Sequence, residues 1–457
     1  MESPRSTCIL GLGVSGVAAA RAAMAEGDEV TIYGGAANEK TRAAASEFVS
    51  QGIEVVLDDE VVKGRYDLCV VCPGIPATSS FYQSALDASE ELVSEPEYAW
   101  RLVPREWIAV TGTNGKTTTT ALIAHLLEAC GRPSALCGNT QATTVTDAAL
   151  ASAEGAAIVA ELSSFQLAST IRFRPRVGVL MNIASDHLTW HGSWRAYAAA
   201  KLRLFANMGP GCTAVVCDVV PDASSLAASL RSRGVRVVTV GSRRAADCAF
   251  EDESGVLVYV DGAGEEHALC SADELLIKGE HNVENALAGA AAALDYGCDV
   301  EGVVKGLESF APLEHRIEPA GSVEGVDFYN DSKATNVDAT LKALTAFPDR
   351  QVVLMLGGRD KLTELGSLVR GCEGRCAAVV CYGEGGPRFF DAFRGSSVRS
   401  ELVGTFYEAF DAACRLARPG QVVLLSPACA SFDEFTGFAQ RGDVFKRLVA
   451  ERAAQVE

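Results

Sequence analysis

The 457-residue chain has no unbroken run of about 18 apolar residues, the length a membrane-spanning helix requires, so a bilayer-spanning helix is not expected. Basic charge is also scarce. Forty Lys and Arg face 59 Asp and Glu, for a formal charge of −19. A field of that sign repels nucleic acid and anionic membrane surfaces. Any anionic ligand must then be held by local devices: helix starts, glycine nests and single Lys or Arg residues. The 15 cysteines are an odd number scattered through apolar runs, which predicts reduced, packed thiols and a cytoplasmic setting. Cys69 and Cys72 have redox spacing, but they lie in a strand-like run where positions three apart face opposite sides. Cys372, Cys376 and Cys381 lack a second cluster to complete a zinc site. Residues 8–25 are apolar but broken by glycines and Arg21, and they read as strand plus helix rather than a secretion signal. There is no fixed-period repeat and no long low-complexity tract.

What is present is a chain with 48% apolar residues and room for about three domains at roughly 150 residues each. The expected divisions are 1–97, 98–311 and 312–457. The first segment alternates strand and helix patterns, as in a doubly wound parallel sheet. Gly11, Gly13 and Gly16 form a dinucleotide-type fingerprint. That fingerprint expects an acid closing the second strand, to hold a ribose. Here the strand closes with Tyr33, Gly34 and Gly35. The Rossmann-like fold is retained and a nicotinamide cofactor is not; the loop suits another anion, such as a diphosphate.

The second segment carries the most informative motif. Residues 111–118 read Thr-Gly-Thr-Asn-Gly-Lys-Thr-Thr, after an apolar run and before a helical pattern. Strand, glycine turn and helix start in that order form a phosphate cradle, with backbone N–H groups turned toward the ligand. Gly112, Thr113, Asn114, Gly115 and Thr118 shape it. Lys116 supplies a point charge to the outer phosphates, and the Thr117 hydroxyl suits magnesium. Residues 156–160 read as a buried strand ending in Glu161, where magnesium needs a carboxylate. His187, after a strand ending near Asn182, is either a second metal ligand or a packed imidazole. Lys201 is either a solvated helix lysine or a buried, reactive amine. Asn282 and Asn285 share a helix face and either read a purine or cap the helix.

The third segment repeats the α/β pattern, with polar motifs after its strands, at the switch-point positions where open sheets bind ligands. Asp331, Lys333, Thr335 and Asn336 stand between a strand and a helix. His315 and Arg316 follow the linker near Pro312, and the Arg316 fork suits a phosphoryl group or a carboxylate. Residues 357–361 and 426–432 close two further strands.

Together these residues resemble the Mur ligases and their relative folylpolyglutamate synthetase. The match is carried by residues 111–118, Glu-Leu-Ser-Ser-Phe-Gln-Leu at 161–167, His315-Arg316, Asn-Asp-Ser-Lys-Ala-Thr-Asn at 330–336 and Leu-Ser-Pro-Ala-Cys-Ala-Ser-Phe-Asp-Glu-Phe at 425–435. The last motifs are similar to those of the D-glutamate-adding branch. The resemblance implies three α/β domains: a Rossmann-like first domain, a central P-loop ATPase domain with a mostly parallel sheet, and a Rossmann-like third domain. It implies ATP and two magnesium ions, and no nucleic-acid partner or membrane insertion. A monomer is expected. Lys116 and Thr117 would hold phosphates and magnesium, Glu161 and His187 would ligate two ions, and Lys201 matches the lysine that is carbamylated in the family. Asn139, Asn282 and Asn285 would lie along the nucleotide, with Asp331 toward the ribose. Thr335, Lys361, Ser431, Phe432 and Phe438 match positions around D-glutamate. Val14, Ser15, Gly74, Gln166 and His187 match contacts to the UDP-sugar. In one departure, the acid and basic residue that often follow the second strand are replaced by Gly34, Gly35 and Ala36.

The reaction so implied activates the alanyl carboxylate of UDP-N-acetylmuramoyl-L-alanine as an acyl phosphate. The D-glutamate amine then attacks, with Lys116, Arg316 and magnesium offsetting phosphoryl charge. Domain closure would exclude water. Rival readings are another amino-acid-adding ligase, a slow ATP-hydrolysing regulator, and an NAD oxidoreductase.

Overall fold

The computed structural model describes residues 4–139, 143–347 and 351–456. Three sheets organise the chain. The first contains β1 (Ser6–Leu10), β2 (Glu29–Gly35), β3 (Glu54–Leu57), β4 (Tyr66–Val71) and β5 (Ser89–Ser94), ordered 3-2-1-4-5 and parallel throughout. The second contains β6 (Trp107–Thr111), β7 (Ser134–Gly138), β8 (Ala157–Glu161), β9 (Val177–Leu180), β10 (Thr213–Cys217), β11 (Arg236–Val240), β12 (Cys248–Glu251), β13 (Val256–Val260) and β14 (Glu266–Ser271). Its order is 14-13-12-11-10-9-6-8-7, parallel except for the antiparallel pairs among β12, β13 and β14. The third contains β15 (Glu318–Val323), β16 (Val326–Asn330), β17 (Val352–Gly357), β18 (Cys376–Tyr382), β19 (Arg399–Leu402) and β20 (Val422–Leu425). It is ordered 15-16-20-17-18-19, with only the edge strand β15 antiparallel.

By mutual contact the chain divides into two compact units, one of residues 1–274 with 284–309 and the other of 275–283 with 310–457. In the first unit, β6, β8, β9 and β10 are buried along their whole length, as expected of parallel strands covered on both faces. The first two sheets are joined by helix Glu95–Leu102, which carries two buried acids. Glu95 accepts hydrogen bonds from the Thr146 N–H and hydroxyl, both at 2.7 Å, and burial pushes its carboxyl up to about 7. Glu97 accepts from the Arg172 N–H at 2.9 and 3.0 Å and pairs with Arg101.

All cysteines are free and most are buried. Cys69 and Cys72 pack inside the first sheet, the latter with its thiol on the Gly11 carbonyl at 3.3 Å.

The first ligand loop follows β1, at the point where the strand order reverses between β2 and β4. Gly11 has φ +97°, and a Cβ at Gly16 would overlap the Gly11 carbonyl oxygen. Gly13, the N-cap of helix Val14–Ala25, instead faces open space, and the helix start has no side-chain cap. The three glycines thus have unequal roles: two permit close packing and one leaves room. Gly16→Ala should cost roughly 1–3 kcal/mol of stability and lower the thermal midpoint. Gly13→Ala should stay within about 1 kcal/mol. Calorimetry of the two full-length variants checks this; equal midpoints would show that the loop relaxes around the added methyl.

Candidate functional site

In the first unit the site grows from the end of β6. Gly115 has φ +84° and caps helix Lys116–Ala129 without a side-chain hydrogen bond. A Cβ there would meet Asn285 Oδ1, so the glycine and the amide occupy one space. The loop is braced by Asn182, just beyond β9. Its Oδ1 accepts from the Thr113 N–H at 3.1 Å and the Asn114 N–H at 2.9 Å, and its Nδ2 donates to the Asn114 carbonyl at 3.1 Å. Lys116 Nζ donates to the Gly112 and Thr113 carbonyls at 2.9 and 2.8 Å.

Lys201, on helix Trp194–Leu202, is buried, which settles the choice between a solvated and a buried amine. Its Nζ donates to the same Gly112 carbonyl at 2.6 Å and lies over the Tyr197 ring at 4.8 Å. Burial, and after it the Lys116 charge, push this amine well below the usual lysine range. The Tyr197 hydroxyl meets Thr113 Oγ1 at 2.8 Å, tying the Lys201 helix to the phosphate loop.

Glu161 ends β8. Oε1 accepts from Asn139 Nδ2 at 3.0 Å, whereas Oε2 is buried without a hydrogen-bond partner. Gly138, at φ +103°, lets the backbone turn there, since a Cβ would overlap the Glu161 carbonyl. A buried carboxylate oxygen lacking a partner costs free energy unless a cation completes it. Glu161 and the Thr117 hydroxyl are oxygen donors suited to magnesium.

His187 has φ +51° and is half-exposed. Its ring packs edge-on to Phe165 at 4.8 Å, and Nε2 lies 3.4 Å from Asp186 Oδ2. Its neighbour His191 is buried, with Nε2 on Ser164 Oγ at 2.9 Å, and burial pushes it down to about 4, so it is neutral. Gln166 is buried and its Oε1 accepts from the Ser163 N–H at 2.9 Å as part of a capping box. Val14 and Gly74 are exposed. Helix Glu280–Tyr296 begins two residues before Asn282, so the amide lies within the first turn and does not cap the helix; its Nδ2 donates to the Lys278 carbonyl at 2.8 Å.

In the second unit, β16, β17 and β20 deliver their following loops to one end of the sheet. Asp331 is buried, accepts from Ser426 Oγ at 2.7 Å, and burial pushes its carboxyl up to about 7. His315 is buried too. Its Nδ1 accepts from Asn330 Nδ2 at 2.9 Å, and its carbonyl accepts the Lys333 N–H at 3.2 Å. The imidazole is thus tied to the end of β16, and the His315 main chain to the Lys333 segment. Lys333 Nζ stands 3.7 Å over the Phe438 ring. Ser431 is buried, Thr335 partly buried, and Lys361 and Phe432 exposed. Among the described residues, Glu314, His315 and Asp443 group like metal ligands, but Lys446 pairs with both acids and accounts for the cluster.

Several non-glycine residues in these loops have positive φ: His187 (51°), His315 (63°), Ile317 (44°), Leu362 (56°) and Ala428 (56°). Such backbones cost on the order of 1–3 kcal/mol each and persist where the surroundings over-determine them, often at ligand sites.

The sequence reading missed Asn182, Tyr197, His191 and Arg441. Each acts on the loops from behind. The one signal for Asn182 was its place at the end of a strand beside β6.

Comparison with known proteins agrees with this geometry. The Mur ligase middle domain matches residues 110–293, and the Mur ligase glutamate ligase domain matches residues 315–429. A UDP-N-acetylmuramoylalanine–D-glutamate ligase of Pelotomaculum thermopropionicum is 37% identical over 449 residues, 97% of either chain. The enzyme of that name from Geobacillus kaustophilus is 36% identical over 452 residues, again 97% of each. Among solved structures, a pseudomurein peptide ligase type C from Methanothermus fervidus covers 97% of this chain and 100% of its own, with a TM-score of 0.61 at 17% identity. Mycobacterium tuberculosis folylpolyglutamate synthase covers 76% of this chain and 93% of its own, with a TM-score of 0.57 at 17% identity. The fold is that of a three-domain α/β nucleotide-dependent ligase. The chain belongs to the Mur ligase family.

Asp331 provides a pH test. Its folded value lies above the ordinary carboxylate value of about 3.9, so the folded state binds the proton more tightly. Its stabilising effect is present at acid pH and is lost as pH rises toward 7, amounting to about 4 kcal/mol at most. Glu95 acts with the same sign. Asp331→Asn should flatten part of the fall in thermal midpoint between about pH 5 and 7.5, measured by calorimetry. An unchanged slope would show that Ser426, Arg316 and Arg441 hold the group ionised.

Proposed function

We propose that this protein is an ATP-dependent ligase joining D-glutamate to UDP-N-acetylmuramoyl-L-alanine, with release of ADP and phosphate, a cytoplasmic step in making peptidoglycan precursors. The reading is carried by the end-to-end similarity to ligases of that name. It is supported by the juxtaposition of Lys116, Lys201 and Glu161 around one phosphate loop. We take the three domains to be residues 1–97, 98–311 and 312–457.

A carboxylate resists nucleophiles because its charge repels them and its oxygens are poor leaving groups. Transfer of the ATP γ-phosphoryl group to the alanyl carboxylate turns one oxygen into a phosphate leaving group. The D-glutamate amine then adds to the carbonyl carbon, loses a proton, and expels phosphate from the tetrahedral intermediate. The bare helix starts at Gly13 and Gly115 bind the UDP diphosphate and the ATP phosphates, with Val14, Ser15 and Gly74 bordering the former. Lys116 leaves its loop carbonyls for the β/γ-phosphates. Asn139, Asn282 and Asn285 line the nucleotide and Asp331 its ribose, and Arg316 faces the phosphoryl group. Gln166 and His187 touch the sugar. Thr335, Lys361, Ser431, Phe432 and Phe438 hold D-glutamate.

Glu161 and Thr117 would hold one magnesium ion, which offsets phosphate charge when bound. For a second ion, His187 and an unmodified Lys201 offer only nitrogen. The fit improves if the neutral Lys201 amine adds carbon dioxide and loses a proton, becoming a carbamate with oxygen donors. The low proton affinity of this amine favours that step.

Phosphate release with ATP, magnesium and the two other substrates, added singly and together, tests the proposal. Full release is expected only with both, accompanied by a new amide; release without amide formation would leave a hydrolase. Lys116→Ala should lower kcat by at least about a thousandfold, the scale of losing a key charge in phosphoryl transfer. Lys201→Ala should be similarly crippled and regain activity with added acetate or formate; an active variant without added acid removes Lys201 from the mechanism.

A further inference from the structure

Arg441 is the one basic side chain among the described residues with no exposed surface at all, and the mechanism leaves it unused. It lies on helix Phe438–Val456. Its guanidinium spans the loops after β16 and β20. Nε donates to Ser332 Oγ at 2.9 Å, and Nη2 donates to the Ser332 and Cys429 carbonyls at 2.9 and 3.1 Å. Nη1 points at the Ala430 carbonyl at 3.4 Å. None of these acceptors is a carboxylate. Ser332 Oγ in turn donates to the Phe438 carbonyl at 2.8 Å, closing a ring of contacts back to the helix start. The Ala430 carbonyl also receives the Arg359 N–H at 2.8 Å, bringing in the loop after β17. Gly358 borders the guanidinium, and a Cβ there would stand 3.1 Å from Nη1.

These segments carry every residue assigned to the amino-acid acceptor. Thr335 follows Ser332, Ser431 and Phe432 follow Ala430, Lys361 follows Arg359, and Phe438 opens the helix. Burying a guanidinium costs several kcal/mol, and a well-packed apolar side chain of the same volume is often as stabilising or more so. Stability alone is therefore a poor reason for arginine here. Its distinctive property is the rigid planar fork, which reaches several acceptors at fixed angles. The strained Ala428 backbone lies one residue from the Cys429 carbonyl that the fork holds.

We propose that Arg441 is a positioning residue for the acceptor amino acid, holding the loops after β16, β17 and β20 in the register that D-glutamate binding requires. The inference rests on the function proposed above. It predicts a selective defect, since the phosphate loop is built elsewhere in the chain.

The test uses full-length Arg441→Lys and Arg441→Met, with two readouts. One is amide synthesis with D-glutamate varied. The other is hydroxamate formation from ATP, UDP-N-acetylmuramoyl-L-alanine and hydroxylamine, in which hydroxylamine traps the acyl phosphate without any amino-acid site. Both variants should raise KM for D-glutamate at least tenfold, while KM for ATP and the hydroxamate rate stay within twofold of the parent. Lysine restoring the parent KM would show that charge, not the fork, is what matters, and would overturn the proposal. So would an unchanged KM in both variants, or a parallel loss of hydroxamate formation, which marks a general structural role. A parent enzyme that forms hydroxamate but no D-glutamyl amide would instead sink the acceptor assignment itself.

Discussion

Two lysine amines converge on one carbonyl oxygen. Lys116 and Lys201 both donate to Gly112, at 2.9 and 2.6 Å, and Lys201 is buried. Two like charges so placed, one of them desolvated, cannot both be comfortable. Burial and the neighbouring Lys116 charge both favour loss of the Lys201 proton. That asymmetry suits chemically similar side chains to the different work proposed for them, a cation for phosphate and a neutral amine open to modification. Much of the surrounding fold serves this arrangement. Tyr197 ties the Lys201 helix to Thr113, Asn182 fixes the loop carbonyls by holding their neighbouring N–H groups, and Glu161 leaves one buried oxygen unsatisfied nearby.

The second unit solves a related problem with opposite charges. Asp331 and Arg441 are both buried, and neither takes the other as its hydrogen-bond partner. Asp331 is held by Ser426 and the Ile317 N–H, and Arg441 by carbonyls and a hydroxyl. Neutral dipoles thus hold each charge in place without quenching it.

Legibility from sequence followed the range of the interactions. The loops after β6, β8, β16, β17 and β20 were read as candidate ligand loops, because strand, turn and helix follow in order within a dozen residues. The edge strands β15 and β19 and the hairpin of β13 and β14 were not read; β15 and β19 are largely exposed and lack a continuous apolar signal, whereas β13 carries one. Lys201 had two equal readings until burial decided between them. Arg441 carried no sequence signal and Asn182 only its place after a strand, because each bonds main-chain atoms far away in sequence, for which no residue pattern exists. His315 was noticed for its neighbour Arg316; its ring is buried and bonded to Asn330, and its main-chain carbonyl receives the Lys333 N–H.

An acidic protein that handles polyanions must concentrate positive potential where it is needed. At −19 overall, long-range attraction works against it, so the devices have to be short-range. Side-chain capping varies among the helices. Helices starting at Ser80, Val145, Ser164, Trp194, Val337 and Phe406 have their first N–H groups satisfied by a Ser, Thr or Asn side chain. The helices starting at Val14 and Lys116 follow a glycine with no side chain to offer. A glycine N-cap costs only a few tenths of a kcal/mol relative to Ser or Asn, and its missing side chain lets a ligand approach the helix start closely. Gly34 and Gly35 fit the same economy: an acid closing β2 would place negative charge near the first of these helix starts, and this chain has none at those positions.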